Sequence, residues 1–360
     1  MTILLAFIGL VLLIVGADLL VRGASTLAAA VGISPLVVGL TVVAFGTSAP
    51  ELAVSIKAAL AHEGDVAMGN VVGSNIMNVL LILGMSAVIA PLLVNRQLIL
   101  LDVPVMIAAA IAVFMMAKDG EISQIDGAIL VAMLLLYMTV LIVRSRRENI
   151  GRGAAESTPK LRGSKQGILN LIFMISGMAM LVFGADWLVN GAVALANALH
   201  VDQLVISLTI VAIGTSLPET ATSLMATWRG QRDIAVGNVV GSNIFNLLSI
   251  VGIASIVQPL DVSNQLLRFD LPIMLIVCIA CWPIFWMGRR IMRVEGVVFL
   301  LGYISYTVYL VLRAGKSGAL PQFEFWMTVA ILPLLGVGML AAWLVEHRAS
   351  SRRVPEASLS

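Results

Sequence analysis

Glu51 and Glu219 are the residues whose setting points most directly to chemistry. Glu51 closes the run Ala44-Phe45-Gly46-Thr47-Ser48-Ala49-Pro50-Glu51. Glu219 closes Ala212-Ile213-Gly214-Thr215-Ser216-Leu217-Pro218-Glu219, 168 positions later. On a helix, Thr47 and Glu51 are i,i+4 and Ser48 and Glu51 are i,i+3, so their oxygens face one point. Thr215, Ser216 and Glu219 repeat that spacing. A second pair of segments keeps the same offset: GNVVGSNIMN from Gly69 to Asn78, and GNVVGSNIFN from Gly237 to Asn246. Ser74 and Asn78 are i,i+4, as are Ser242 and Asn246. The glycines of this motif, with Asn70, Asn75, Asn238 and Asn243, read as packing residues, because small side chains let helix backbones approach.

Two carboxylates, six hydroxyls, two amides and nearby carbonyls make an all-oxygen donor set. Hard cations such as Ca2+ and Na+ take such a set, and no thiolate or imidazole is present to favour a softer metal. Two glutamates neutralise one divalent ion, or two or three monovalent ions with modest residual charge. A site that two ions fill in turn is the basis of antiport. The same carboxylates could instead take protons, which makes Ca2+/H+ exchange the alternative on the same scaffold. Bare paired carboxylates inside a membrane are strongly disfavoured. The empty carrier is therefore expected to cross reluctantly, so that exchange outruns leak.

The surrounding sequence is that of a polytopic membrane protein. The 360 residues are 60% hydrophobic and only 12% charged, with a mean hydropathy of +1.03, whereas soluble domains are about 25% charged. The net charge of +2 gives no basis for a nucleic-acid partner. A spanning helix needs about 20 apolar residues. Such helices are predicted near 3–30, 33–60, 66–92, 98–117 and 124–143, and again near 167–198, 202–228, 234–260, 267–288 and 293–312. The first stretch is read as a membrane helix and not a cleaved leader, because GADLLVRGA (Gly16–Ala24) returns as GADWLVNGA (Gly184–Ala192). Pro50 and Pro218 remove backbone donors, and Gly46 and Gly214 permit unwinding. The two motif helices should break in mid-membrane and free carbonyls near Ala44 and Ala212. Such backbone is tolerated only against protein or a polar cavity.

Five helices per unit is an odd number, so the second unit enters the membrane from the opposite side. The expectation is an all-α fold: a ten-helix core of two inverted five-helix repeats, 1–143 and 167–312, joined by a polar linker at 144–166. Residues 313–360 would add an eleventh helix near 325–346 and a tail. That helix reads as peripheral, or as a route to a homo-oligomer. The linker carries Arg144, Arg146, Arg147, Arg152, Lys160, Arg162 and Lys165, which assigns it to the cytoplasm by the positive-inside rule. Arg96, Arg229, Arg232, Arg289, Arg290, Arg293, Arg348, Arg352 and Arg353 then fall on the same side. Lys57, Lys118, Arg268, Arg313 and Lys316 fall outside. The N-terminus would lie outside and the C-terminus inside, in a cell inner membrane.

The remaining polar residues read more blandly. Asp18 can pair with Arg22 at i,i+4, while its counterpart Asp186 faces Asn190; a gating or ion-entry role for the two aspartates competes with simple pairing. Asp102 and Asp270, each two residues before a proline, read as helix-start residues near a surface. Cys278 and Cys281 have no second ligand pair and read as small apolar residues. His62, His200 and His347 sit at helix ends or in the tail. No nucleotide motif is present, so no enzyme and no cofactor is expected. A passive pore is a rival to the carrier, which saturation and counter-flow would exclude.

The paired G-T-S-x-P-E and G-N-x-x-G-S-N-x-x-N motifs resemble the repeats of the cation/calcium exchanger superfamily, in its sodium/calcium exchanger branch. The resemblance covers both halves. It implies four ion subsites at the midplane, with Glu51 and Glu219 as central calcium ligands. It implies that Thr47 and Thr215 join calcium and sodium coordination. Ser48, Ser74, Ser216 and Ser242, with the carbonyls of Ala44 and Ala212, would line the flanking sodium sites, and Asn78 and Asn246 the middle site. It also implies that helices one and six slide across the core. Many members carry aspartate at the position of Asn246. Here both copies are Asn, which argues against potassium co-transport and leaves the stoichiometry open.

Overall fold

A bilayer offers no water to backbone N–H and C=O groups, so a chain this apolar must satisfy them within its helices. The computed structural model describes residues 2–31, 33–151, 164–199, 212–286, 288–327 and 329. Among them are eight helices long and apolar enough to cross a membrane, and a ninth if one bent pair counts as a single span. The first half contains α1 (Thr2–Val31), the bent pair α2 (Pro35–Thr47) and α3 (Ala49–Leu60), α4 (Gly64–Ile89), α5 (Leu98–Asp119) and α6 (Gln124–Gly151). The second contains α7 (Ser164–Ala198), a single turn α8 (Ala212–Gly214), α9 (Leu217–Trp228), α10 (Arg232–Val257), α11 (Leu266–Trp286), α12 (Arg293–Ala314) and α13 (Leu320–Trp326).

The sequence offset of 168 is also a structural offset. α3 and α9 begin at Ala49 and Leu217, α4 and α10 at Gly64 and Arg232, and α5 and α11 at Leu98 and Leu266. Four two-residue strands, absent from the sequence expectations, fix how the halves meet. They are β1 (Leu92–Leu93), β2 (Glu121–Ile122), β3 (Leu260–Asp261) and β4 (Arg290–Ile291). β1 pairs antiparallel with β4, and β2 with β3. β1 and β2 flank the two ends of α5. β1 and its counterpart β3 therefore lie at opposite ends of the same helix.

α6 runs on to Gly151 and α7 starts at Ser164, so both helices reach into the segment 144–166. Arg and Glu are good helix formers, so polarity alone does not end a helix at the membrane edge. The start of the expected helix 202–228, and nearly all of the expected eleventh helix at 325–346, lie outside the described residues.

Two apolar clusters organise the packing. The larger joins α2 to α6 with α10 to α12. The smaller gathers α1 and α7 with Val38, Val43, Ala226, Ile234 and Ala235. α1 and α7 touch backbone to backbone: a Cβ added at Gly16 would stand 2.8 Å from the Gly177 carbonyl oxygen, and one at Gly177 would stand 2.7 Å from that of Gly16. Such contact needs glycine on both sides.

Candidate cation-binding site

The two motif helices break where the sequence places glycine and proline. α2 and α3 meet at a 45° bend. Ser48 sits between them at φ −82°, ψ 5°, and Ser216 holds a matching φ −90°, ψ 10°. Pro50 and Pro218 occupy the first turns of α3 and α9, beside Glu51 and Glu219. A proline there costs no hydrogen bond, because a helix's first N–H groups have no partner within the helix. The positive ends of both helix dipoles thus meet the two carboxylates deep in the protein. Both glutamates are 1% exposed.

The halves then exchange partners. Ser48 Oγ donates to Glu219 Oε1 at 3.1 Å, and Ser216 Oγ donates to Glu51 Oε1 at 3.1 Å. Thr47 Oγ1 donates to Asn238 Oδ1 at 3.2 Å, and Thr215 Oγ1 to Asn70 Oδ1 at 3.4 Å. Asn70 Nδ2 in turn donates to the Glu51 carbonyl and to Ser55 Oγ, and Asn238 Nδ2 to the Glu219 carbonyl and Ser223 Oγ. Below these, Asn78 Nδ2 donates to Asn243 Oδ1 at 2.9 Å, and Asn246 Nδ2 to Asn75 Oδ1 at 3.2 Å. A π-helical turn starts at Asn78 and another at Asn246, a distortion that is common at functional sites. Ser74 Oγ lies 3.1 Å from Ser216 Oγ. Its counterpart Ser242 is fully buried.

What remains unpaired defines the chemistry. Glu51 Oε2, Glu219 Oε2, Asn78 Oδ1, Asn246 Oδ1 and Ser242 Oγ are buried without a hydrogen-bond partner. All five are oxygens that can accept, and four of them form two symmetry-related pairs. Leaving a buried polar atom unsatisfied costs about 1–3 kcal/mol, and more for a charged group. Five such acceptors on α3, α4, α9 and α10 call for cations. Only two of their side chains are acidic, and among the described residues no three of His, Cys, Asp and Glu gather. A mostly neutral oxygen set suits ions that must also leave.

All twelve residues singled out in the sequence lie in or beside the two breaks and the helices α4 and α10. Ala44 differs from expectation: its carbonyl is not free, since Ser48 N–H donates to it at 3.0 Å and Thr47 Oγ1 at 3.3 Å. In the second copy the Ser216 amide donates to the Ile213 carbonyl at 3.2 Å. The four asparagines read as packing residues are hydrogen-bonded to the carboxylate layer or the amide layer. Their signal was their place inside the duplicated motif, one turn from Ser74 and Ser242 or from Asn78 and Asn246. Ser55 and Ser223 were missed, although they keep the offset of 168 and each lies one helical turn beyond a motif glutamate.

Asp102 and Asp270 are corrected. They begin no surface cap but are buried, and each accepts from a tyrosine: Tyr137 at 3.0 Å and Tyr306 at 2.9 Å. Gln97 Nε2 also donates to Asp102. The Asp102 side chain makes no cap hydrogen bond to its own helix. Asp18 does accept from Arg22, at 2.9 Å, and also pairs with Arg229. Cys278 and Cys281 are buried free thiols on α11.

Comparison with known proteins gives a consistent picture. The profile of the family described as "Sodium/calcium exchanger protein" matches residues 1–143 and 169–312. The inner membrane protein YrbG of Escherichia coli is 35% identical over 77% of this chain and 88% of its own length. The sodium/calcium exchanger MaX1 of Methanosarcina acetivorans is 32% identical over 85% of this chain and 97% of its own. A structure of the sodium-calcium exchanger NCX_Mj superposes with a TM-score of 0.72 at 32% identity, covering 84% of this chain and 96% of that one.

Proposed function

This chain belongs to the sodium/calcium exchanger family, and from that premise we propose that it exchanges Ca2+ for Na+ across a membrane by alternating access. It is a multi-pass transporter and not an enzyme. The observation that carries the reading is the layer of unpaired buried oxygens on Glu51, Glu219, Asn78, Asn246 and Ser242. Glu51 and Glu219 hold the divalent ion, with Thr47, Thr215 and the amide oxygens beside them. Ser48, Ser74, Ser216, Ser242 and the carbonyl of Ala212 line the flanking positions for Na+. The two units, 1–143 and 167–312, form a ten-helix inverted repeat around the ions. The exchange of hydrogen-bond partners between the halves, and the placing of β1 and β3 at opposite ends of α5, support this arrangement. The linker and C-terminus face the cytoplasm of a cell whose inner membrane holds the protein; the name of the relative YrbG supports that location.

The test is Ca2+ flux in proteoliposomes with Na+, K+ and pH gradients imposed one at a time. A Na+ gradient alone should drive Ca2+ uphill. Uphill flux driven by a pH gradient in sodium-free medium would replace Na+ by H+ as the counter-ion.

A further inference from the structure

The ion layer is nearly symmetric, but one face of the molecule carries a device that the other lacks. Asp18, on α1, accepts from Arg22 one turn along and is ion-paired with Arg229, the residue that ends α9. Their counterparts 168 residues away are Asp186, Asn190 and Ala61, which include no cation. Among the described residues no ion pair forms at Asp186.

The inner face of α9 shows the same imbalance. From Glu219 toward Arg229 it presents Thr222, Ser223 and Thr227, all buried. The matching positions on α3 are Val54, Ser55 and Ala59, with one hydroxyl among them. Thr227 and the neighbouring Thr220 donate to the carbonyl four residues back, the usual fate of a hydroxyl within a span. Thr222 does not. Its Oγ1 is buried and unpartnered one turn from Glu219, and so is Ser86 Oγ on the part of α4 that packs against α9. Among the described residues these oxygens extend the unpaired set from the ion layer toward the end of α9 that carries Arg229.

We propose that α9 carries the cation route between Glu219 and the linker face, and that Asp18 and Arg229 latch its mouth. The inference rests on the cation-carrier reading of the layer above. The latch joins α1 to the end of α9 where only the smaller apolar cluster, including Ala226, holds them together. Parting that contact breaks the ion pair and leaves the larger core intact. The latch makes the two mouths unequal, so the nearly symmetric site opens under different control on each side.

The test is thiol accessibility, which is read without any transport assay and so can fail independently of the exchange reading. Thr222→Cys is introduced and reacted with a membrane-impermeant cationic methanethiosulfonate, applied to each face of sealed vesicles. The parent chain, with its two buried cysteines, gives the baseline. Asp18→Asn or Arg229→Gln should each speed modification from the linker face by about tenfold, the shift that 1.4 kcal/mol produces. The rate from the other face should not change. Asp18→Glu should restore the slow rate, and the double variant should add nothing to either single one. An unchanged rate in both single variants, or equal acceleration from both faces, would overturn the latch. A Thr222→Cys thiol unreactive in every background would overturn the route.

Discussion

Each carboxylate uses one oxygen on a serine from the other half and keeps the second unpaired. Removing the charge from either should therefore damage the site as a whole, not one half of it. Truncating one partner of a buried charged set costs about 3–5 kcal/mol. Glu51→Gln or Glu219→Gln should thus lower Ca2+ exchange by more than about 100-fold, since each 1.4 kcal/mol is tenfold. Near-parental flux in both variants would remove them as ligands. Asn246 sets a subtler case. Its Nδ2 donates to Asn75 Oδ1 at 3.2 Å, a bond an aspartate keeps only while protonated. Asn246→Asp should behave like the parent at low pH and diverge as pH rises and a third negative charge appears. Flux measured across pH, with and without K+, reads this directly; identical curves would mean that Asn246 does not face the ions. Residue types and spacing made the donor set visible in the sequence. The exchange of partners between Ser48 and Glu219, or Asn78 and Asn243, was not visible, because it depends on how two distant segments meet.

Among the elements, the helices were legible and their irregularities were not. A long apolar run shows a span, whereas the π turns at Asn78 and Asn246 leave no mark that periodicity can detect. The short strands escaped for a related reason. Two residues such as Leu92–Leu93 carry no alternation, and their pairing with Arg290–Ile291 is set by the helices around them. Burial was misjudged at Asp102 because a proline two residues on suggests a helix start, yet Tyr137 comes from a neighbouring span to bond it. The α1–α7 contact yields a firm expectation. A Cβ at Gly16 would meet the Gly177 carbonyl oxygen at 2.8 Å and Met180 Cβ at 2.9 Å. Neither is the far end of a flexible side chain, so the helices must part. Overpacking of this kind costs about 1–3 kcal/mol. Gly16→Ala should lower the melting temperature of the purified protein in detergent, and Gly177→Ala should do the same. An unchanged melting temperature in both would mean that the helices separate without loss.

For the whole molecule, the question is what prevents a cation carrier from leaking. Glu51 and Glu219 are both buried, and each keeps an unpaired oxygen. Loaded with Ca2+ or with Na+, the pair is compensated. Bare, it presents two like charges in a low-dielectric layer, at an effective cost of several kcal/mol per ion. The change of access must therefore be far slower for the empty protein than for the filled one. Ca2+-loaded proteoliposomes diluted into medium free of Ca2+ and Na+ should release 45Ca2+ slowly. Adding unlabelled Ca2+ or Na+ outside should speed release by at least about tenfold, which requires only about 1.4 kcal/mol of the charge penalty to reach the barrier. A pore would behave in the opposite way, releasing label fastest down the steepest gradient, with external ions bringing no acceleration. Rapid release into ion-free medium would thus sink the carrier reading, even if every residue of the oxygen layer proved to bind Ca2+.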